Sequence, residues 1–282
     1  MPIVHDPPLF MFPRERWKGA TFRSFSIFMV AEGMGRTSKS YSLMDRLADR
    51  QSFIAVYPDG TGQFSKRLLT WNAGACCGYA AIHQIDDVGF VRLLIDKIGE
   101  MIPIDGRRIY ATGLSNGAMM AYRLAAEAGD LIAAIAPVAG GMVLPVIKSQ
   151  RAIPVMHLHS LDDPRALYGG GLGPPFPFTK TRVFHPNIDQ MISRWVRHDG
   201  CSAEPVIERQ IEIKEPRQSA KHYIYTNCRE GSEVVLWQLT GAGHVWPGGK
   251  QKVLERILGP STEIIDANQE MWRFFQRFSL PS

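Results

Sequence analysis

From Phe25 onward, short apolar runs rich in β-branched residues alternate with segments of helical period, and this alternation limits the folds open to the 282-residue chain more than any other feature. SIFMVA (26–31) precedes a helical pattern over 39–51, and FIAVYP (53–58) ends in the turn Pro58-Asp59-Gly60. A second helix is predicted over 87–100, with Val88, Val91, Ile95 and Ile98 on one face and Asp86 or Asp87 as its cap. RRIYATG (107–113), LIAAIAPVAG (131–140) and AIPVMHLHS (152–160) read as further strands, continuously apolar as expected where helices cover both faces of a sheet. Strand–helix–strand repetition of this kind builds a mostly parallel sheet with crossover helices, at least five strands wide.

After the last of these runs comes a Gly/Pro/Phe-rich segment, 168–186, too long and irregular for a plain connection. An amphipathic helix follows, carrying Ile188, Met191, Ile192, Trp195 and Val196, capped by Asn187 and ended by Gly200. EVVLWQL (233–239) is the last predicted strand, and a closing helix starts at Asp266 with Gln269 reaching back to it. No internal repeat or second domain is visible, so residues 25–282 read as one domain behind a diverged or truncated segment, 1–24.

Composition narrows the function classes. The chain is 45% apolar and 21% charged, as in ordinary globular proteins. Its net charge of +5 is spread without any block of five like charges, so a nucleic-acid partner is not expected. The uncharged stretch 131–147 approaches membrane-span length, but Pro137, Pro145 and Gly140-Gly141 interrupt it, which predicts a buried strand and loop. The apolar island 9–12 is too short for the core of a signal peptide, so no export signal is expected. Cys76, Cys77, Cys201 and Cys228 lack the spacing of a zinc or redox motif, and no metal or other cofactor is expected.

The chemistry centres on Gly113-Leu114-Ser115-Asn116-Gly117, which closes a predicted strand and opens a predicted helix. That is the setting of a nucleophile elbow, where side chains at the flanking positions would collide with the neighbouring strand or helix. A serine needs a base to take its proton, and the base needs a carboxylate to fix its tautomer. On a sheet of this type the partners follow in the order serine, acid, histidine. The acid is then Asp163, with Asp162 as the alternative, and the base is His244 in TGAGHVWPGG. His157 and His159 fall in or at the end of a core strand, His185 precedes a proline, and His83 comes too early. Two backbone N–H groups should face the developing oxyanion: that of Asn116, and that of Met34 or Gly33 in the loop after the first strand.

Six stretches together resemble the polyhydroxybutyrate depolymerase and feruloyl esterase group of α/β-hydrolases: VYPDGTG (56–62), WNAGACCG (71–78), DDVGF (86–90), YATGLSNG (110–117), HSLDDP (159–164) and GAGHVWPGG (241–249). The resemblance implies an α/β-hydrolase fold and a secreted-type serine esterase acting on small or polymeric esters, with Ser115, Asp163 and His244 as its triad. It also implies a Cys201–Cys228 disulfide, against which stands the reading of two buried free thiols. Where the family's oxyanion loop has His-Gly, this chain has Glu32-Gly33, and the two strands expected before that loop are not recognisable. A carboxylate about 5 Å from the oxyanion, at an effective dielectric of about 20, would oppose it by about 3 kcal/mol.

On this reading Trp71, Trp246 and Phe176 would wall an acyl pocket, with plain core packing as the competing role for them. The leading function is a carboxylic-ester hydrolase working through an acyl-enzyme. The alternatives are a binding protein on an inactive hydrolase scaffold and a peptidase of the same fold.

Overall fold

The computed structural model describes residues 25–31, 35–64, 68–175, 181–250 and 255–281. The segment 1–24, the residues Glu32, Gly33 and Met34 expected to form the oxyanion loop, and Phe176 lie outside the described residues.

In chain order the strands are β1 (Phe25–Ala31), β2 (Ile54–Val56), β3 (Ile104–Leu114), β4 (Ala134–Val138), β5 (Val155–Ser160), β6 (Gly171–Leu172), β7 (Phe184–His185), β8 (Val206–Ile213), β9 (Gln218–Tyr225) and β10 (Val234–Thr240). The helices are α1 (Gly35–Ser42), α2 (Met44–Gln51), α3 (Gly78–Ile82), α4 (Asp87–Met101), α5 (Asn116–Glu127), α6 (Ile188–Asp199), α7 (Glu255–Leu258) and α8 (Ala267–Phe275). An eight-stranded sheet runs β2-β1-β3-β4-β5-β10-β9-β8. It is parallel from β2 to β10, and β9 and β8 add an antiparallel hairpin at one edge. This is the α/β-hydrolase fold that the sequence predicts.

Alternation along the strands explains the two cores. Ile109, Ala111, Ile135 and Val155 point into one cluster, with Val91, Ile95 and Ile98 of α4, Leu124 of α5 and Trp195 of α6. Their neighbours Tyr110, Ala134, Ala136 and Met156 point into the other, with Leu47 of α2 and Met271, Phe274 and Phe275 of α8. Successive strand residues face opposite sides, so a sheet covered on both faces must be apolar at every position. The predicted caps are present. Asp86 accepts from the Gly89 N–H, Asn187 from that of Gln190 and Asp266 from that of Gln269, and α6 ends at Gly200.

Two elements differ from the expectation. The helix predicted over 39–51 is two helices, broken where Leu43 takes φ 56°. Distant residues enforce the break: Asn268 Nδ2 donates to the Ser42 carbonyl at 2.6 Å, and the Asp45 N–H donates to the Tyr57 hydroxyl at 2.9 Å. The segment after β5 is not wholly irregular, because β6 and β7 pair antiparallel within it. No helix among the described residues is long and apolar enough to cross a membrane.

The strand order reverses direction between β1 and β3. Ligands of open parallel sheets bind outside the carboxyl ends of the strands at such a switch point. The loops that follow β2, β3, β4, β5 and β10 begin on that edge.

Candidate active site

Ser115 occupies the single residue between β3 and α5, with φ 59° and ψ −118°. A non-glycine residue at positive φ costs on the order of 1–3 kcal/mol and persists only where its surroundings enforce it. Here the Ser115 N–H donates to Val138 at the end of β4 (2.9 Å), and its carbonyl accepts from Met119 (3.1 Å). The chain after β4 passes so close that a Cβ at Gly140 would overlap the Ser115 carbonyl. The elbow is thus clamped by the adjacent strand and the loop beyond it.

Asn116 opens α5, so its N–H belongs to the unsatisfied first turn of a helix, a place suited to developing negative charge. Its side chain has a second role that the sequence does not reveal. The amide accepts from the Trp71 N–H (2.7 Å) and donates to the Trp71 carbonyl (3.0 Å), tying the elbow to the loop after β2.

Asp163 follows β5 and is 4% exposed. Its Oδ1 accepts from the N–H groups of Arg165 (2.7 Å) and Ala166 (2.8 Å), and its Oδ2 accepts from His244 Nδ1 at 2.8 Å. Burial alone would raise this carboxyl. The His244 charge and the hydrogen bonds from His159 and His244 outweigh it and hold the group well below the usual carboxylate range. Asp162, the alternative acid, instead accepts from the Gly241 N–H at 2.7 Å.

His244 lies beyond β10 in a loop laced to residues 258–260. Gly243 donates to Pro260, and a Cβ at Gly243 would overlap the Leu258 carbonyl. Among the described residues the Nδ1 contact is the one hydrogen bond of the His244 ring, so Nε2 is not bonded to Ser115. The geometry joins acid to base directly and leaves the serine at the elbow of the same sheet edge.

Trp71 and Trp246 are each 1% exposed and sit in the two cores, where Trp71 stacks on Phe90 and Trp246 Nε1 donates to Asn268. Neither is among the residues that line the cavity nearby. A cavity of about 740 Å³ lies on the same edge, between Cys76, Tyr79, Met142, Leu144, Phe184 and Arg194. Ser115, Asp163 and His244 do not line it.

His185, set aside in the sequence, is buried with its Nδ1 unpartnered. Burial, reinforced by His244, pushes its imidazole down to about 4. The Cys201–Cys228 disulfide is present, closing the end of α6 against the end of β9. Cys76 and Cys77 are both buried in the loop after β2.

The chain is 28% identical over 221 residues to Feruloyl esterase B of Piromyces equi, an alignment covering 75% of this chain and 34% of that protein. It is 24% identical over 237 residues to Poly(3-hydroxyalkanoate) depolymerase C of Paucimonas lemoignei, covering 78% and 55%. It therefore spans a third to about half of the length of these relatives. Among solved structures, an acetyl xylan esterase from Aspergillus awamori superposes with a TM-score of 0.53 at 16% identity, covering 90% of this chain and 89% of that one. This likeness bears on the fold alone. The family model described as Esterase PHB depolymerase matches residues 19–215, and the chain belongs to that family.

Proposed function

We propose that this protein is a carboxylic-ester hydrolase that works through an acyl-enzyme, with Ser115 as nucleophile, His244 as general base and Asp163 as the group that orients the base. The observation that carries this reading is the buried Asp163–His244 contact of 2.8 Å, at the same sheet edge as the strained Ser115 elbow. Asp163, held ionised, fixes the proton on Nδ1 and leaves Nε2 to act as base.

Ser115 Oγ attacks the ester carbonyl as its proton passes to His244 Nε2; the Asn116 N–H and one from Gly33 or Met34 bind the oxyanion. Collapse breaks the C–O bond, and the same proton goes to the departing alkoxide. Water then repeats the sequence and releases the acid. The Nε2–Oγ contact commonly closes only when substrate binds, which is consistent with the open contact here.

Membership of the family and the names of the relatives support polyester or phenolic esters as the substrate class. The Cys201–Cys228 disulfide supports a working place in an oxidising compartment.

A fluorophosphonate probe tests the chemistry. Labelling at Ser115 that disappears in Ser115→Ala is the expected result, and folded protein that takes no label would instead favour a binding protein. Turnover of p-nitrophenyl esters, methyl ferulate and polyhydroxybutyrate film then ranks the substrates, and cleavage of peptides alone would point to a peptidase.

A further inference from the structure

His157 and His159 lie two apart on β5, so their rings leave the same face of a strand that is buried on both sides. They are 0% and 2% exposed, and Tyr122 of α5 is 0% exposed. The three form a chain of contacts. Tyr122 Oη lies 3.0 Å from His157 Nδ1, and His157 Nε2 lies 3.0 Å from His159 Nδ1. His159 Nε2 then lies 2.7 Å from the Ala166 carbonyl and 3.5 Å from Asp163 Oδ2.

We propose that His159 is a positioning residue for the Asp163 carboxylate, held in register by a buried one-way hydrogen-bond chain that starts at Tyr122. The proposal rests on the triad reading above. Its direction follows from the last link. A carbonyl and a carboxylate can only accept, so His159 Nε2 carries the proton and, in a neutral ring, Nδ1 accepts. His157 Nε2 must therefore donate, its Nδ1 accepts, and the Tyr122 hydroxyl donates to it. Burial depresses the His157 imidazole well below its usual value, which keeps that ring neutral. Burial likewise raises the Tyr122 hydroxyl, which keeps its proton.

The consequence for Asp163 is mechanical as well as electrostatic. The turn after β5 is gripped twice: the Ala166 N–H holds Asp163 Oδ1, and the Ala166 carbonyl is held by His159. The Nε2–H donor near Oδ2 also balances part of the carboxylate charge. The other ionisable group facing this carboxylate is His185 on β7; Arg165 meets it through its backbone N–H, while its guanidinium donates to the Pro175 carbonyl. A tautomer flip of His159 would remove the grip and point a lone pair at two acceptors, so those acceptors fix the direction of the chain and the Tyr122 hydroxyl, able to donate or accept, follows it.

The test compares His159→Leu, His159→Gln, Tyr122→Phe and Asp163→Asn on a p-nitrophenyl ester. Loss of a second contact around a catalytic group commonly displaces it enough to cost about 10- to 100-fold. His159→Leu is expected to lose kcat in that range with KM within about twofold of wild type. The acid limb of its kcat/KM profile should move to higher pH, because a carboxylate stripped of a donor leaves more of its charge on the imidazole it faces. Gln can donate to Ala166 and accept from His157, so His159→Gln should recover most of kcat. Tyr122→Phe, at the far end of the chain, should cost least.

On 15N-histidine-labelled wild-type protein, His159 should show a protonated Nε2 and a bare Nδ1, a reading that does not depend on any variant folding. A protonated His159 Nδ1 overturns the proposal. So does a His159→Leu protein with wild-type kcat and pH profile while Asp163→Asn is inactive. Wild-type activity in Asp163→Asn would remove the triad reading and this inference with it.

Discussion

Two buried histidine–aspartate pairs in this chain have nearly the same spacing, 2.8 Å between His244 and Asp163 and 2.7 Å between His198 and Asp199, yet they are built for different ends. Both aspartate side chains are 0% exposed. In the second pair every polar group is engaged. His198 Nε2 contacts the Ser149 carbonyl, and Asp199 accepts from the Ile153 N–H and the Ser232 hydroxyl. In the first pair Nε2 of the imidazole is left over. The pairs sit at opposite ends of β5, since Ile153 precedes the strand and Asp163 follows it. At the carboxyl end the loops part to form a crevice, while at the amino end the same chemistry is saturated and serves as a clasp. A histidine–aspartate contact is thus a candidate for catalysis only when one ring nitrogen remains unspent.

The strongest way to break this comparison is to disable each acid in turn. Asp163→Asn is expected to lower ester turnover by about 10⁴, because the base then rests in the wrong tautomer. Asp199→Asn should leave turnover within about twofold while lowering unfolding free energy by about 3 kcal/mol, read from urea titrations, because one partner of a buried pair is lost. Equal losses of turnover in the two variants would erase the distinction.

Reduction of Cys201–Cys228 acts on the same clasp, because Arg229, beside Cys228, donates to the His198 carbonyl. It releases a loop with a sequence separation of 27 and should lower the urea midpoint by the equivalent of up to about 3 kcal/mol.

The smallest effect is a difference of sign with pH. The hydrogen bond to Asp199 raises His198 above its ordinary value against the pull of burial. Its contribution is therefore complete below about pH 6.5 and fades as pH rises through the folded value. His185, pushed down to about 4, behaves in the opposite sense: its contribution is complete above about pH 6.5 and is lost as pH falls toward 4. The stability gap between wild type and His198→Gln should narrow from pH 5.5 to pH 8.5, while the gap to His185→Gln widens. Gaps that move together would contradict the assignment.

Much of the architecture could be read from residues alone because burial on both faces leaves continuous apolar runs, as in β4 and β5, and because Asp86, Asn187 and Asp266 mark helix starts. The β8–β9 hairpin escaped because VIERQIEI is a largely exposed edge strand with mixed polarity, so no buried face imposes a pattern. The Leu43 break escaped for another reason. Asn268 dictates it from 226 positions away, and nothing local to 39–51 records that partner. In the candidate site, Ser115, Asp163 and His244 were visible through their order and their loops. The Asn116 clamp on Trp71 and the tie from His159 to the acid turn depend on what the fold brings together. His159 in particular looked like a core residue because it is one, and burial hid its second contact.

The Asn116 clamp joins two parts of the carboxyl edge that are far apart in sequence. Its amide grips both backbone groups of Trp71, and the same loop continues into Ala75, Cys76, Cys77 and Gly78, which wall the 740 Å³ cavity. The cavity wall and the first N–H groups of α5 are therefore parts of one lever with Asn116 as its pin. On the proposed reaction, a chain segment that displaced that wall would pull on the first turn of α5 through this one amide.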